Sequence, residues 1–360
     1  MDIKTLISAN PFEKTQEEKE RILLPLIKNS LLNNFNNEFV SAYYKKIGFD
    51  LRKINFLEDI PFIHASCFKN FDLATVEKDK IIRVLTSSST TGQSPSRVPL
   101  DKETALRQTI ALKSVLSNYL GKKRIPMLVF DFEKSNAESE SLTARGAGIR
   151  GFANFASETY YLIDEKEGSF ILNKPLLLRA NKEYADKEIF LFGFTYLLWE
   201  VLTKENGPGE LSFKKMKIFH GGGWKKLESK KVSKAIFNEK ISGYFGCPSS
   251  QIYDFYGMVE QSGLVFIDCE QGFKHVPLFA DLITRDFYTL QSITKREGLV
   301  NIINLIPSSY PGQSIITDDK AIIFGVDDCK CGRKGKYFEF TSRVINQEVR
   351  GCGDTMPNIK

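Results

Sequence analysis

The sequence predicts an α/β fold in which buried strands alternate with helices, followed by a small β subdomain. Two strand-like segments, residues 81–86 and 125–132, flank one helix-like segment. A further apolar run over residues 189–202, IFLFGFTYLLWEVL, predicts a buried strand that enters a helix. From residue 272 to about residue 340, short strands are separated by Pro, Gly and Asp turns, a pattern typical of a small β subdomain.

Helices are predicted before and between these strands. Residues 1 to about 60 carry apolar side chains at helical spacing, with charged residues on the opposite face. Residues 102–120 form the helix between the first two strands, with Asp101 as its N-cap and Gly121 as its stop. The polar, Gly-rich residues 133–155 predict an active-site loop or the edge of a substrate tunnel.

Charge and hydropathy narrow the class of protein. The 360 residues include 50 Lys and Arg against 44 Asp and Glu, a net charge of +6, and the basic residues form no long block. We therefore expect no nucleic-acid partner, whereas an anionic small-molecule substrate fits the balance. The most apolar run, residues 189–202, is too short to span a bilayer and contains Glu200, so no membrane span is expected. Because the start has no signal-peptide pattern, the chain is predicted to be cytoplasmic, where its six cysteines stay reduced.

Six consecutive hydroxyl residues follow the first predicted strand. Thr86 to Thr91 run directly into Gly92, and we call this segment the hydroxyl loop. Backbone N–H groups and hydroxyls at the end of a strand bind anions, so the hydroxyl loop predicts a phosphate site. The Walker pattern G-x-x-x-x-G-K-[ST] is absent, which excludes a P-loop NTPase. For this segment alone, a surface loop without a ligand remains the alternative.

Four further segments place chemically useful residues at predicted strand ends. HGGGWKK (residues 220–226) puts three glycines after a strand, where the backbone can lie flat against a ring or a phosphate. DFYGMVEQ (residues 254–261) supplies an aromatic residue, a glycine and a carboxylate. SIITDDK (residues 314–320) contains paired aspartates, and FTSRVINQEVRGCGD (residues 340–354) places an arginine after a strand.

In order and spacing these segments resemble the motifs of the adenylate-forming superfamily of acyl-CoA synthetases, luciferases and adenylation domains. Ser87 to Gly92 resemble its phosphate loop S-S-G-T-T-G-x-P-K, with Ser89 in a glycine place and Ser96 or Arg97 where a lysine is common. The likeness is strongest to acyl-protein synthetases, the fatty-acid-activating subunit of bacterial bioluminescence reductase complexes, and it extends to phenylacetate–CoA ligases. It covers nearly the whole chain.

The resemblance implies roles for individual residues. Tyr256, Gly257 and Glu260 resemble the family motif Y-G-x-T-E, which implies that Tyr256 stacks on adenine and Glu260 holds Mg²⁺ as a catalytic carboxylate. Asp319 resembles the aspartate that binds ribose, and Arg343 resembles the arginine of the hinge motif. The nucleotide-binding residues implied in this way are Ser87, Ser88, Ser89, Thr90, Thr91, Gly92, Gly221, Gly222, Gly223, Tyr256, Gly257, Asp319 and Arg343.

The implied fold is the large N-terminal domain of adenylate-forming enzymes, with stacked sheets, helices and a small β subdomain. We expect this domain to span residues 1–345 and a tail to span residues 346–360, with the family's mobile C-terminal domain and its catalytic lysine absent. The loop lysine is missing too. Lys225, Lys226 or Arg97 are candidates to supply the positive charge.

Four residues of the predicted β subdomain form a candidate zinc site. Cys269 and His275 have the spacing C-x5-H, and Cys329 and Cys331 follow as C-x-C-G-R. Three thiolates and one imidazole make a closed, structural tetrahedral Zn²⁺ site. The alternative is that Cys269 belongs to the core and the other two cysteines belong to a turn. Some relatives of phenylacetate–CoA ligase resemble this arrangement and carry zinc.

Cys352, in RGCGDT, is the candidate acyl acceptor. A thiolate is a suitable nucleophile for an acyl adenylate, and Arg350 nearby would lower the pKa of the thiol. The resemblance places Cys352 where acyl-protein synthetases carry the acyl group. An idle exposed thiol is the alternative.

Together these features predict a ligase that uses ATP and Mg²⁺ to convert a carboxylic acid into an acyl adenylate, and the resemblance implies a fatty acid. The acyl group then passes to a protein thiol, on Cys352 or on an acceptor such as a reductase or carrier protein. Two alternatives remain from the sequence. One is an acyl- or aryl-CoA ligase of the phenylacetate type, and the other is a partner protein that binds nucleotide without turnover.

Overall fold

The computed structural model describes residues 2–87, 94–133, 142–166, 169–204 and 211–344. Its helices are α1 (Ile3–Ser8), α2 (Gln16–Leu31), α3 (Glu38–Lys46), α4 (Cys67–Asn70), α5 (Lys102–Leu120), α6 (Ala144–Ala153), α7 (Lys174–Tyr184), α8 (Thr195–Lys204) and α9 (Lys234–Phe245). Its strands are β1 (Ile63–His64), β2 (Arg83–Thr86), β3 (Arg97–Leu100), β4 (Ile125–Phe130), β5 (Leu142–Thr143), β6 (Ala156–Tyr161), β7 (Ile163–Lys166), β8 (Ser169–Leu172), β9 (Ile189–Phe194), β10 (Met216–Gly221), β11 (Ile252–Tyr256), β12 (Phe266–Ile267), β13 (Lys274–His275), β14 (Ala280–Arg285), β15 (Ser292–Ile293), β16 (Gly298–Asn304), β17 (Ser314–Val326) and β18 (Lys336–Arg343).

One sheet has the strand order β12-β11-β10-β9-β4-β6, and we call it the parallel sheet. All its neighbouring strands are parallel except β12, which is antiparallel to β11. Every residue of β9 is buried, as expected for a central parallel strand covered on both faces. The strands β4, β9, β10 and β11 each end within one residue of their neighbours along the ladder, at Phe130, Phe194, Gly221 and Tyr256, and we call this the carboxyl edge. Open α/β sheets bind their ligands at this edge.

A second sheet, here called the mixed sheet, contains most of the later strands. Its order is β13-β18-β17-β16-β14-β15, and β1 pairs with β17. The β1 contact is parallel and joins Ile63 to Ile315 and His64 to Ile316. A two-residue strand near the N-terminus therefore lies beside the strand that carries the paired aspartates. Side chains from both sheets belong to one continuous hydrophobic core.

The N-terminal helices are fixed to the mixed sheet by charge as well as by apolar packing. Thr15 and Glu18 form a capping box at the start of α2, which ends the preceding turn and begins the helix. The Lys19 ammonium group lies 3.1 Å from a carboxylate oxygen of Asp281, and Lys336 lies 2.6 Å from the other oxygen. Lys19 and Asp281 are at most 1% exposed. Because these charges are buried, removing the Asp281 carboxylate would leave the two ammonium groups without a counter-charge.

Several local predictions are confirmed. Asp101 caps α5 by accepting a hydrogen bond from the Thr104 N–H, and Gly121 ends that helix with φ +75°. The strand β9 leads directly into α8, as the apolar run over residues 189–202 predicts. Among the described residues, no helix is both long and apolar enough to cross a bilayer.

The prediction of a loop over residues 133–155 is wrong for residues 144–153, which form α6. The glycines that suggested a loop allow this helix to pack closely. A Cβ atom at Gly151 would lie 2.6 Å from the Leu112 side chain, and one at Gly148 would lie 3.3 Å from Phe192. Glycine lowers the stability of a helix, but at these two positions it allows the helix to lie close to its neighbours.

Candidate active site

The base of the hydroxyl loop is closed by two serines. The Ser87 N–H donates to the Ser96 carbonyl at 3.2 Å, and the Ser96 N–H donates to Ser87 Oγ at 2.9 Å. Below them, β2 pairs with β3 and with β5, so Thr86 lies opposite both Arg97 and Thr143. The predicted phosphate-binding residues Ser88, Ser89, Thr90, Thr91 and Gly92 lie outside the described residues.

Glu260 lies in a short 3-10 turn that follows β11. Its side chain is 7% exposed. Burial raises the pKa of this carboxyl group, while the Ser96 hydroxyl and the positive charges of Lys69 and Arg343 act in the opposite direction. Ser96, at the base of the hydroxyl loop, and Arg343 are therefore both electrostatic neighbours of Glu260, the predicted Mg²⁺ ligand.

Tyr256, Asp319 and Arg343 meet beside the carboxyl edge. The Tyr256 hydroxyl donates to Asp319 Oδ2 at 2.5 Å. Arg343 Nε donates to Asp319 Oδ1 at 2.6 Å, and Nη2 donates to Oδ2 at 3.1 Å. Asp319 and Arg343 are direct partners across β17 and β18. The fold thus brings together three residues that the sequence places up to 87 positions apart (343 − 256).

The Tyr256 ring is partly covered by protein. Its centroid lies 3.7 Å from that of Phe340, with 32° between the ring planes. Burial, followed by the charge of Asp319, raises the pKa of the Tyr256 hydroxyl. Phe340 occupies one face of the ring, so an adenine that stacks on Tyr256 would use the opposite face. Gly257 directly follows Tyr256 at the end of β11.

The glycine segment continues from the end of β10. A Cβ atom at Gly221 would lie 2.5 Å from the Phe255 carbonyl oxygen, which explains the need for glycine there. Gly222 and Gly223 have φ values of +81° and +65°, which favour glycine. The side chains of Lys225 and Lys226, two candidates for the missing loop cation, fall outside what the structure describes. The third candidate, Arg97, is exposed at the start of β3.

His220 precedes these glycines and is buried, with 4% of its surface exposed. Its Nδ1 atom lies 3.0 Å from the Thr195 hydroxyl oxygen. Burial lowers the pKa of His220 to about 4. The imidazole is therefore neutral at physiological pH and packs 4.5 Å from the Phe237 ring, centroid to centroid.

The four predicted zinc ligands lie together. One ligand atom from each of Cys269, His275, Cys329 and Cys331 falls within 4.8 Å of all the others. Cys269 Sγ lies 3.9 Å from Cys329 Sγ, and Cys331 Sγ lies 3.2 Å from His275 Nε2. For Zn–S bonds of about 2.3 Å, tetrahedral ligation places two sulfurs roughly 3.8 Å apart. The donor set and its spacing fit Zn²⁺.

Two similar turns present the sulfurs. The Gly272 N–H donates to the Cys269 carbonyl at 2.8 Å, and the Gly332 N–H donates to the Cys329 carbonyl at 3.0 Å. Both glycines have φ near +83° to +84°. The Gln271 N–H also points to Cys269 Sγ at 3.4 Å. Backbone N–H groups directed at sulfur stabilise a thiolate ligand.

Comparison with known proteins identifies the family. The model of the family described as "Acyl-protein synthetase, LuxE" matches residues 2–359. The chain belongs to the acyl-protein synthetase family. It is 24% identical over 367 aligned residues to the long-chain-fatty-acid–luciferin-component ligase of Aliivibrio fischeri, covering 98% of this chain and 93% of the relative. The Vibrio harveyi protein of the same name is 23% identical, with 98% and 91% covered.

The fold of this acyl-protein synthetase family member is that of adenylate-forming enzymes. A solved structure of 2-hydroxyisobutyryl-CoA ligase in complex with 2-HIB-AMP and CoA superposes with a TM-score of 0.70. The two chains are 14% identical, and the match covers 93% of this chain and 72% of the ligase. The family, the fold class and the acid–thiol ligase class predicted from the sequence are confirmed.

Two residues near the site of this acyl-protein synthetase family member, His64 and Lys69, carry no functional signal in the sequence. His64 Nε2 lies 3.2 Å from Asp318 Oδ1, next to Asp319, although 254 positions separate the pair. Lys69 affects the pKa of both Glu260 and Asp318. No local pattern marks these residues, and the pairing of β1 with β17 is what brings His64 to the site.

Proposed function

We propose that the chain uses ATP and Mg²⁺ to activate a fatty acid as an acyl adenylate and passes the acyl group to a protein thiol. The observation that carries this proposal is the convergence of Tyr256, Asp319 and Arg343 beside Glu260 and the base of the hydroxyl loop. Family membership and the names of the two bacterial relatives support a fatty acid as substrate.

In the first step, a carboxylate oxygen of the acid forms a bond to the α-phosphorus of ATP, and pyrophosphate leaves. Two anions must approach each other, so the site must offset negative charge. Glu260 would hold Mg²⁺, which shields the phosphate oxygens from one another. Asp319 would accept a hydrogen bond from a ribose hydroxyl at Oδ1, which accepts only one hydrogen bond, from Arg343 Nε, whereas Oδ2 accepts two.

In the second step, a thiolate sulfur attacks the acyl carbon, the bond to the phosphate oxygen breaks, and AMP leaves. Cys352 is the proposed acceptor within the chain, and it lies outside the described residues. A thiol on a reductase or carrier protein would receive the acyl group next by thioester exchange. CoA is the alternative acceptor.

We also propose that Cys269, His275, Cys329 and Cys331 hold a structural Zn²⁺. The sulfur and nitrogen separations and the two cysteine turns support this site. With four protein ligands no coordination position stays open, so the ion would stabilise the fold and would not bind substrate. It would connect the β12–β13 region with the turn that precedes β18.

Fatty-acid-dependent exchange of radiolabelled pyrophosphate into ATP tests the adenylation step. We expect exchange with the wild-type chain and its loss in Glu260→Gln, which retains shape but not charge. Cys352→Ser should keep exchange and lose the acyl group covalently bound to protein. If the wild-type chain binds ATP but shows no exchange with any acid, it is a nucleotide-binding partner and the proposal fails.

Product analysis with and without CoA separates the two acceptors. Acylated protein that forms without CoA supports the protein thiol. Acyl-CoA formed at a higher rate than acyl-protein would instead indicate a ligase of the phenylacetate type.

A further inference from the structure

Arg145 lies beside the carboxyl edge in a position that neither the motifs nor the proposed mechanism uses. Arg145 is the second residue of α6 and lies two residues after Thr143. Thr143 pairs with Thr86, the first residue of the hydroxyl loop. Its contact residues Asp131 and Phe194 lie at the ends of two adjacent strands of the parallel sheet, β4 and β9. A cation therefore lies close to the end of β2, where the hydroxyl loop begins, and to the carboxyl edge of the parallel sheet.

The guanidinium group of Arg145 is held firmly. Asp131, which is fully buried, accepts from Nε at 2.6 Å and also from Nη2. The Tyr196 hydroxyl lies 3.2 Å from Nη1. The Phe132 and Phe194 rings lie beside the guanidinium carbon, with their centroids at 5.0 and 5.4 Å. Such contacts fix the orientation of a side chain before any ligand arrives.

These contacts leave part of the hydrogen-bonding capacity of Arg145 available. A guanidinium group has five N–H donors, and the described contacts use one on each of its three nitrogens. One N–H on Nη1 and one on Nη2 remain, and the side chain is 25% exposed. Paired N–H groups on a guanidinium match the two oxygens of a carboxylate.

The surroundings distinguish a carboxylate from a phosphate. Besides its carboxylate partner Asp131, Arg145 contacts the rings of Phe132 and Phe194 and the hydroxyl of Tyr196, whereas phosphate sites are built from hydroxyls and backbone N–H groups. The Phe194 ring also lies near the glycine segment, because a Cβ atom at Gly222 would lie 3.0 Å from it. Arg145 thus combines a cation with apolar surface, close to segments assigned to the nucleotide.

We propose that Arg145 binds the carboxylate of the acid substrate through its two remaining N–H groups, with the adjacent acyl carbons against Phe132 and Phe194. This assignment rests on the proposed function, because it supplies the acid-binding group for adenylation. Asp131 and Tyr196 act as positioning residues that hold the guanidinium. The cation holds the nucleophilic carboxylate in place without taking part in a bond change.

Kinetics of pyrophosphate exchange in the Arg145→Gln variant test the assignment. We expect the KM for the fatty acid to rise by about tenfold or more, as for loss of hydrogen bonds to a charged group, while the KM for ATP changes less than about twofold. A fatty alcohol of the same chain length serves as a competitive inhibitor without a carboxylate. Its Ki should be the same in the wild-type and variant proteins, because the acyl-chain contacts are retained.

Three further variants keep the test interpretable. Arg150→Gln removes a positive charge from the same helix and should leave both KM values unchanged. Tyr196→Phe keeps the ring and removes one contact to Nη1, so it should raise the KM for the acid by a smaller factor. Arg145→Lys keeps the charge but not the paired donors, so it should retain part of the affinity for the acid that Arg145→Gln loses. It also tests the assignment if Arg145→Gln does not fold.

The outcomes separate this assignment from the proposed function. An unchanged KM for the acid in the Arg145 variants, a rise in the KM for ATP alone, or a parallel rise in the Ki of the alcohol would overturn the role of Arg145. No exchange by the wild-type chain would overturn the proposed function, and this assignment with it.

Discussion

Arg343 forms a two-point ion pair with Asp319, with Nε 2.6 Å from Oδ1 and Nη2 3.1 Å from Oδ2. The two residues are register partners at the end of the β17–β18 pair. Asp319 is 7% exposed and also accepts the Tyr256 hydroxyl, so its two oxygens are engaged by protein. The Oδ1 atom accepts one hydrogen bond and Oδ2 accepts two, so a ribose hydroxyl would bind at Oδ1, on a carboxylate that the chain already holds in place.

Asp319 is therefore predicted to contribute directly to ATP binding. Replacing it by Asn in Asp319→Asn keeps the shape but removes the charge that strengthens hydrogen bonds to a ribose. We expect the KM for ATP to rise about tenfold while the KM for the acid stays unchanged, measured by pyrophosphate exchange. Asp318→Asn, at the neighbouring half-exposed position, is the matched control. Equal effects of the two variants on ATP would contradict a specific role for Asp319.

The zinc site predicts a metal content as well as a contribution to stability. We expect about one Zn²⁺ per chain by elemental analysis, and its loss in Cys329→Ser together with a lower Tm. Cys67→Ser changes a half-buried cysteine away from the cluster and should retain the metal. Metal content near zero in the wild-type protein purified without chelator would contradict the site.

Much of the fold follows from local sequence, and the reasons can be traced to particular residues. Asp101 and Gly121 mark the ends of α5 because capping and positive φ depend on the residues themselves. The cysteine and histidine spacings were sufficient to predict the four-residue cluster, since Cys269 and Cys329 each begin a short turn that a glycine closes. The helix ends and the two cysteine turns depend on contacts within a few positions, whereas the cluster also requires segments about 60 positions apart to meet.

The remaining parts depend on contacts between distant segments. The strand β1 has two residues, too few for a periodic pattern, yet it places His64 next to Asp318. Residues 144–153 have the composition of a loop but form α6, because their glycines allow close packing against Leu112 and Phe192. The sequence carries no signal for Arg145 either, since its contacts depend on the buried carboxylate of Asp131, which follows β4.

His220 predicts a loss of stability in acid. Burial lowers its pKa from 6.5 to about 4, with Asp254 and Asp268 opposing and Lys274 and Lys234 reinforcing the effect. Because the unfolded chain binds the proton more tightly, this stability is present above pH 6.5 and is lost as the pH falls toward 4. We expect this group to cost about 2 kcal/mol between pH 7 and pH 5.

Urea unfolding of the wild-type protein and of His220→Asn at pH 7 and pH 5 measures this effect. The difference between the two pH values should be smaller in the variant by the amount assigned to His220. An equal pH dependence in both proteins would show that the imidazole titrates normally in the folded state.

The buried carboxylate of Asp281 predicts a large change in stability. It contacts both Lys19 and Lys336, so Asp281→Asn would leave two buried ammonium groups without a counter-charge. We expect the free energy of unfolding to fall by about 3–5 kcal/mol in urea unfolding. Glu17→Gln, which breaks the exposed pair with Arg21, should change it by less than about 0.5 kcal/mol. A similar small effect of both variants would contradict the structural role of the buried pair.

The formation of an acyl adenylate is the central claim, and its direct detection is the most decisive measurement. The purified chain would be mixed with ATP, Mg²⁺ and a long-chain fatty acid, quenched in acid, and the small molecules identified by mass spectrometry. In the Cys352→Ser variant, which cannot transfer the acyl group to Cys352, we predict acyl-AMP in an amount close to that of the enzyme. In the Glu260→Gln variant we predict no acyl-AMP. ATP bound at saturation with no acyl-AMP formed from any fatty acid would contradict the account.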